Sequence, residues 1–186
     1  MNGTAHGAVA DVANPEDVDR VFAEASERLG GLDVLIDNAG IGGDGIADMD
    51  DSDWRYVVET NLVGFMACAK TAIDQMSGGG HIILIGSVAA EKRGKDSSVY
   101  VATKAAIQGF ADSLRKEVSD AGIKVTLIEP GAVGTDMTDQ TPEEQREMIK
   151  KGELLRAEDI AVAMHYILTQ PFRCEITTLG IREHHE

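Results

Sequence analysis

The chain has 186 residues, 43% of them apolar and 26% charged, and a formal charge of −15. That length suits one domain with a single core; no run reaches the roughly 18 apolar residues of a membrane span, and "MNGTAHGAVADV" at the start lacks the basic-then-apolar layout of a signal peptide. The excess of carboxylates argues against nucleic acid or anionic membrane as partner, and Cys68 and Cys174 lie too far apart for a disulfide scaffold or zinc knuckle, so a reducing, cytoplasmic setting with a solubilising acidic surface is expected.

In chain order, short β-branched runs alternate with helical patterns. Gly7–Val12 reads as a first strand. Asn14 then stands as N-cap with Pro15 at the first helical position, and Val18, Val21, Phe22, Ala25 and Leu29 fall on one helix face. Leu32–Ala39 is the next strand, followed by a long helix from about Asp53 to Gln75. The strand His81–Ser87 precedes a helix from about Ser98 to Ala121, and Ile123–Glu129 is a further strand. Thr141, Pro142 and Glu144 form a capping box opening a short polar helix to Lys150. A helix from about Ala157 to Thr169 and a strand Glu175–Ile181 close the chain. Near-continuous apolar strands joined by helices predict a parallel sheet covered on both faces, an α/β doubly wound fold in one domain over residues 1–186.

Several motifs invite a ligand and do not support one. "GIGGDG" (Gly40–Gly45) matches a phosphate-loop spacing, but Asp44 lies inside it and Asp48, Asp50, Asp51 and Asp53 follow, so it reads as a glycine-rich turn. "SGGGH" (Ser77–His81) precedes a strand and is a turn. Asp48, Asp50, Ser52 and Glu59 have calcium-loop spacing, yet Asp53 occupies the position where the sharp turn demands glycine. Acidic residues opening a helix explain that cluster, and no metal site is expected. His184 and His185, in the tail, offer adventitious binding at most.

Tyr100 and Lys104 stand four residues apart, on one face of a helix. A free phenol, with a pKa near ~10, exchanges protons poorly at neutral pH, and an adjacent ammonium stabilises its phenolate. The pair reads as an acid/base unit. Ser87 ends a strand thirteen residues before Tyr100, at the carboxyl edge where open α/β sheets hold ligands. Asn38, Ala39 and Gly40 end another strand at that edge, and Pro130–Gly131 break a third, freeing backbone groups and Thr135. Asn61 sits in mid-helix, an unfavourable place without a task for its amide.

With "NAG" at Asn38, Asn61, "GS" at Ser87, "YVATK" at Tyr100–Lys104 and "PG" at Pro130, in order and spacing, the chain from about Gly7 to Ile181 resembles the short-chain dehydrogenase/reductase family. The resemblance implies a Rossmann-like sheet and an oxidoreductase moving hydride between NAD or NADP and a small or medium alcohol or carbonyl compound. It makes Tyr100 the general acid/base, Lys104 its tuner and a ribose contact, Ser87 the partner of the substrate oxygen, and Asn61 the holder of a relaying water. Asp11 and Val12 match the adenine contact and Thr135 the carboxamide contact. Asn38, Ala39, Gly40, Pro130 and Gly131 join Tyr100 and Lys104 as cofactor-binding positions.

The family's opening strand, T-G-x-x-x-G-x-G loop, helix and second strand have no counterpart here, so the resemblance implies an N-terminally truncated domain and weak nucleotide binding. In the family's strand order, 3-2-1-4-5-6-7, Gly7–Val12 is left without a neighbour. It must pair beside the fourth strand, pair with another chain or stay loose. A homo-oligomer is also expected, through apolar stripes on the two long helices: Met66, Ala69 and Ile73 on one, Phe110 and Leu114 on the other, although both stripes suit intrachain core equally. The competing reading is a catalytically inactive remnant acting as a binding or oligomerisation partner. Substrate is poorly specified: the segment from Met137 to Leu154 is polar, with Met137 and Met148 as its apolar contacts.

Overall fold

The computed structural model describes residues 3–138 and 140–185. Four parallel strands form one sheet in the order β1-β2-β3-β4: β1 Val34–Asp37, β2 Gly80–Ile85, β3 Ile123–Pro130 and β4 Thr178–Ile181. This is the 4-5-6-7 portion of the order expected from the resemblance. Ile82, Ile83 and Leu84 of β2 are fully buried, as central strands with both faces covered require.

Helix α1 spans Pro15–Leu29, with Asn14 Oδ1 accepting from the Glu16 N–H (2.9 Å) and Gly30 ending it at φ 79°. The long second helix is continuous but not uniform: α2 Asp51–Val58, a π-helical stretch Glu59–Val63, then α3 Gly64–Gln75. A four-residue helix α4, Ala89–Lys92, follows β2 and was not predicted. Helix α5 spans Ser98–Val118 and runs into a 3₁₀ turn ending at Ala121. The capping box forms as expected at α6, Pro142–Lys151, where the Thr141 N–H donates to Glu144 Oε2 (2.8 Å) and Thr141 Oγ1 accepts from the Glu144 N–H (3.3 Å). The last helix, α7, is Ala157–Leu168.

One sheet face packs on α1, α3 and α5, with Phe22, Phe65, Ala69, Ile107, Leu114 and Leu127 in its core. The other face packs on α7 through Ile83, Ile128, Ile160 and Ile167. The chain thus crosses on one face between β1, β2 and β3 and on the other between β3 and β4, always stepping the same way, so the last crossover has the opposite hand to the first two. Ala69 and Leu114 of the proposed subunit-contact stripes are intrachain core, while Met66 is 42% exposed. Among the described residues no helix is long and apolar enough to cross a membrane.

The strand expected at Gly7–Val12 is absent. Residues 3–10 run exposed, Val9 is 93% exposed, and the segment is held by side chains: Arg20 Nη2 donates to the Val9 carbonyl (2.7 Å), and the Asp11 N–H donates to Asp17 Oδ2 (2.9 Å). A β-branched pattern sets which way side chains point; it does not supply a ladder partner, and this segment does not add to β1.

At the opposite end of the sheet from the strands' carboxyl edge, Thr126 Oγ1 donates to the Ile176 carbonyl (2.6 Å), so His81 Nε2, 2.8 Å from that oxygen, is the donor. The chain of bonds ties β2 and β3 to the segment leading into β4. Burial pushes the imidazole pKa down, neighbouring Lys124 adds to this, and Glu175 acts against it. The unfolded chain takes up this proton near pH ~6.5 and the folded chain only below that, so this contribution to stability is present above the unfolded value and is lost as pH falls through it. Urea unfolding between about pH 8 and about pH 5 should show a larger loss for the wild type than for His81→Gln; equal losses would contradict the assignment.

Candidate active site

Helix α5 brings Tyr100 and Lys104 to the carboxyl edge of the sheet. Lys104 is 4% exposed, and its ammonium donates to the Ile85 carbonyl at 2.9 Å, joining helix to strand end. Its Nζ lies 5.3 Å from the Phe65 ring centre and 5.7 Å from that of Tyr100, distances at which aromatic faces stabilise a desolvated cation. Burial lowers the Lys104 pKa, while the negative charge of Asp37 acts the other way.

Tyr100 is half-buried beside Ser87, whose side-chain oxygen accepts from the Ala89 N–H (3.1 Å) at the start of α4. That backbone bond fixes the serine with its hydroxyl beside the phenol. The sequence expected the lysine to lower the phenol's pKa. Instead burial raises it, and the neighbouring Ser87 hydroxyl offsets this in part. The reason is geometric: the lysine's hydrogen bond goes to the Ile85 carbonyl, not to the phenol oxygen.

Asn61 is fully buried in the π-helical stretch. Its amide nitrogen donates to the Ile41 carbonyl (2.8 Å) and lies 3.4 Å from Thr103 Oγ1, while its oxygen accepts from the Ile41 N–H (2.8 Å). The side chain clamps the turn after β1 at both backbone polar groups of one residue, Ile41. The widened helical turn delivers the amide inward, a use of π-bulges that recurs at functional sites.

The glycine-rich turn that follows serves packing. A Cβ at Gly43 would come within 3.1 Å of Val57 Cγ1 and 3.4 Å of the Tyr100 backbone nitrogen. The Asp44 carbonyl accepts from the Val99 N–H (3.3 Å), and Ser98 Oγ accepts from the Ile46 N–H (3.0 Å). The turn therefore caps α5 just where Tyr100 begins its first turn. Gly64 has a similar task, since a Cβ there would stand 2.9 Å from the Val12 carbonyl oxygen. That contact brings Asp11 and Val12 to the same end of the sheet, with Asp11 Oδ2 accepting from the Tyr56 hydroxyl at 3.1 Å. Sequence reasoning passed over Gly43 and Gly64, because close backbone approach leaves no mark beyond the glycine itself.

Asn38 is exposed and Ala39 and Gly40 are half-buried on the clamped turn. Pro130 is buried at the end of β3, and the Gly131 N–H donates to the Ile181 carbonyl (2.7 Å). Thr135 lies on the loop beyond, where Gln145 of α6 donates to its carbonyl at 3.1 Å. One neighbour was unforeseen. Glu183, with its side chain 7% exposed, accepts from the Ala132 N–H (3.0 Å) and lies 3.9 Å from Lys92, and a Cβ at Gly131 would collide with its carboxylate.

The nicotinamide half of a dinucleotide fits this edge. A Cβ at Gly40 would stand 3.7 Å from Lys104 Nζ and 3.5 Å from Asn61 Oδ1, in ordinary van der Waals contact, so the backbone of the turn lies directly against both side chains. The pyrophosphate half finds no cradle in the Gly40–Gly45 turn, which leads to a three-residue 3₁₀ turn at Ile46–Asp48 with Asp44 and Asp48 alongside.

The model of the short chain dehydrogenase family matches residues 1–146. An uncharacterized oxidoreductase of Staphylococcus aureus is 35% identical over 175 residues, covering 92% of this chain and 73% of its own. A farnesol dehydrogenase of Aedes aegypti is 35% identical, over 95% of this chain and 74% of its own. Among solved structures, an alcohol dehydrogenase from Thermococcus sibiricus complexed with 5-hydroxy-NADP superposes with a TM-score of 0.82 at 25% identity, covering 95% of this chain and 74% of that one. A blue fluorescent protein from a metagenomic library in complex with NADPH gives 0.81 at 29% identity, over 94% of this chain and 73% of that one. The chain belongs to the short-chain dehydrogenase family of oxidoreductases.

Replacing Asn61 by leucine keeps the volume and leaves the Ile41 N–H and C=O unpaired. Each buried orphan costs about 1–3 kcal/mol, so Asn61→Leu should destabilise the fold by about 2–5 kcal/mol in urea unfolding. A loss below about 1 kcal/mol would show that the clamp is not what holds the turn.

Proposed function

We propose that this chain transfers hydride between NAD or NADP and a small or medium alcohol or carbonyl compound, with Tyr100 as general acid/base. The observation that carries the reading is the joining of Tyr100, Ser87 and buried Lys104 at the carboxyl edge of the sheet. The NADP-type ligands of the Thermococcus sibiricus enzyme and the blue fluorescent protein favour the same cofactor class. The farnesol dehydrogenase supports an alcohol as substrate. A sealed ammonium costs several kcal/mol of desolvation, and a merely inert remnant has no use for it.

A bound nicotinamide supplies or accepts the hydride; the chain's residues hold and protonate the substrate oxygen. Ser87, with one of its two lone pairs taken by the Ala89 N–H, keeps its hydroxyl proton to donate to that oxygen. Tyr100 gives the oxygen a proton as hydride reaches the carbon. Its raised pKa keeps the phenol protonated at neutral pH, which suits carbonyl reduction; alcohol oxidation needs the phenolate and gains as pH rises. Lys104, held at the Ile85 carbonyl, orients the ribose beside Gly40. The Asn61 amide is committed to Ile41 and Thr103, so any relaying water at this position is held by backbone groups of the π-helical stretch.

NADPH-dependent reduction of a panel of small and medium aldehydes and ketones tests the assignment. Tyr100→Phe should stay folded by circular dichroism and lose about 10²–10⁴-fold in kcat, the usual worth of a positioned acid. Activity within about tenfold of wild type would remove Tyr100 from the role.

A further inference from the structure

Asp37 takes no part in the chemistry above, yet it lies beneath it. It ends β1 directly opposite Leu84 of β2, on the sheet face covered by α3 and α5, and is 4% exposed. The other residues of β1, Val34, Leu35 and Ile36, are apolar. Among the described residues no donor meets Asp37 Oδ2. A buried carboxyl with an unpartnered oxygen is costly in such a place unless a buried charge answers it. The residue after Leu84 is Ile85, whose carbonyl receives the Lys104 ammonium at 2.9 Å. Carboxyl and ammonium are thus one strand apart at the same edge, equally sealed from water, and each acts electrostatically on the other.

We propose that Asp37 is a positioning residue of the Tyr100–Lys104 pair: its carboxyl and the Lys104 ammonium form one coupled unit, so that the charge on Lys104 depends on Asp37. The functional meaning rests on the acid/base reading of Tyr100 and Lys104; the coupling itself does not.

The groups around the pair fix the direction of the effect. From α5 come Lys104 and Tyr100, and from α3 Cys68, whose thiol is pushed up to about 12 by burial and by the negative charge of Asp37. β2 and the π-helical stretch contribute the Ile85 carbonyl and the Asn61 amide, neither of which titrates. Burial raises the Asp37 pKa and lowers that of Lys104, and each charge opposes the burial effect on the other. An ionised Asp37 therefore holds the proton on Lys104. Removing that negative charge lets the ammonium give up its proton at lower pH. Only protons move, between the two groups and water. Such coupled sites titrate as a pair, each resonance carrying the imprint of its neighbour's step.

The test uses the full chain without cofactor, labelled with ¹³C at lysine Cε and aspartate Cγ and followed by NMR across pH. Lys104 should titrate at about 8 in the wild type. In Asp37→Asn its proton affinity should fall about tenfold or more, the size of effect that a nearby charge produces, and Asp37→Glu should recover most of it. An unchanged Lys104 titration in folded Asp37→Asn overturns the proposal. If that variant does not fold, the wild-type Asp37 resonance decides. A step coinciding with the Lys104 titration supports the coupling, and a single step in the ordinary carboxyl range near ~3.9 overturns it. Retained activity in Tyr100→Phe would instead count against the acid/base reading, so the two failures are distinguishable.

Discussion

An ammonium sealed from water must be answered by its surroundings, and the burial of Lys104 organises the carboxyl edge of this sheet. The side chain reaches from α5 to the Ile85 carbonyl, so the helix cannot rotate or slide without stranding a charge. Fixing the helix fixes Tyr100 one turn earlier, and fixing the end of β2 fixes Ser87 two residues on. The aromatic faces of Phe65 and Tyr100 line the space round the ammonium. Chemistry and packing share one anchor.

The Asn61 clamp completes this frame from the other side. A uniform α-helix through Glu59–Val63 would present its side chains in a regular 3.6-residue rotation; the π-helical stretch places the amide where both polar groups of Ile41 find a partner. The turn so held bears Gly40 against Lys104 and Gly43 against the start of α5. Three segments far apart in sequence, residues 40–43, 59–63 and 100–104, thereby become one rigid patch. Loops are ordinarily the mobile part of an α/β edge, and here hydrogen bonds to buried side chains make the turn part of the scaffold.

Much of this was legible in the sequence, for identifiable reasons. Helix ends carry their own chemistry, so Asn14–Pro15 and Thr141–Glu144 announced α1 and α6. The order of Asn38, Asn61, Ser87, Tyr100 and Pro130 announced the family. Asn61 was marked as out of place in a helix, although the local change of helical pitch was not foreseen. Gly7–Val12 misled because strand pattern is a local property and strand pairing is not. Glu183 and Asp37 were missed for the same reason: a tail carboxylate meeting the Ala132 N–H, and a strand-end carboxyl under a lysine, exist only once the chain has folded. The direction of the Tyr100 shift was misjudged because spacing on a helix tells which side chains are neighbours, and not which of them is spent on a backbone carbonyl.

The central claim is that the edge built round Lys104 receives the nicotinamide end of the nucleotide, in a chain that spans 73% of its staphylococcal relative. The most direct measurement is residue-resolved amide NMR during titration with NADPH. Binding as described shifts the amides of Gly40, Ile41, Lys104 and Gly131 first and most. Saturable binding that leaves those four unmoved while perturbing the first turn of α1 or the Gly78–Gly80 turn would contradict it.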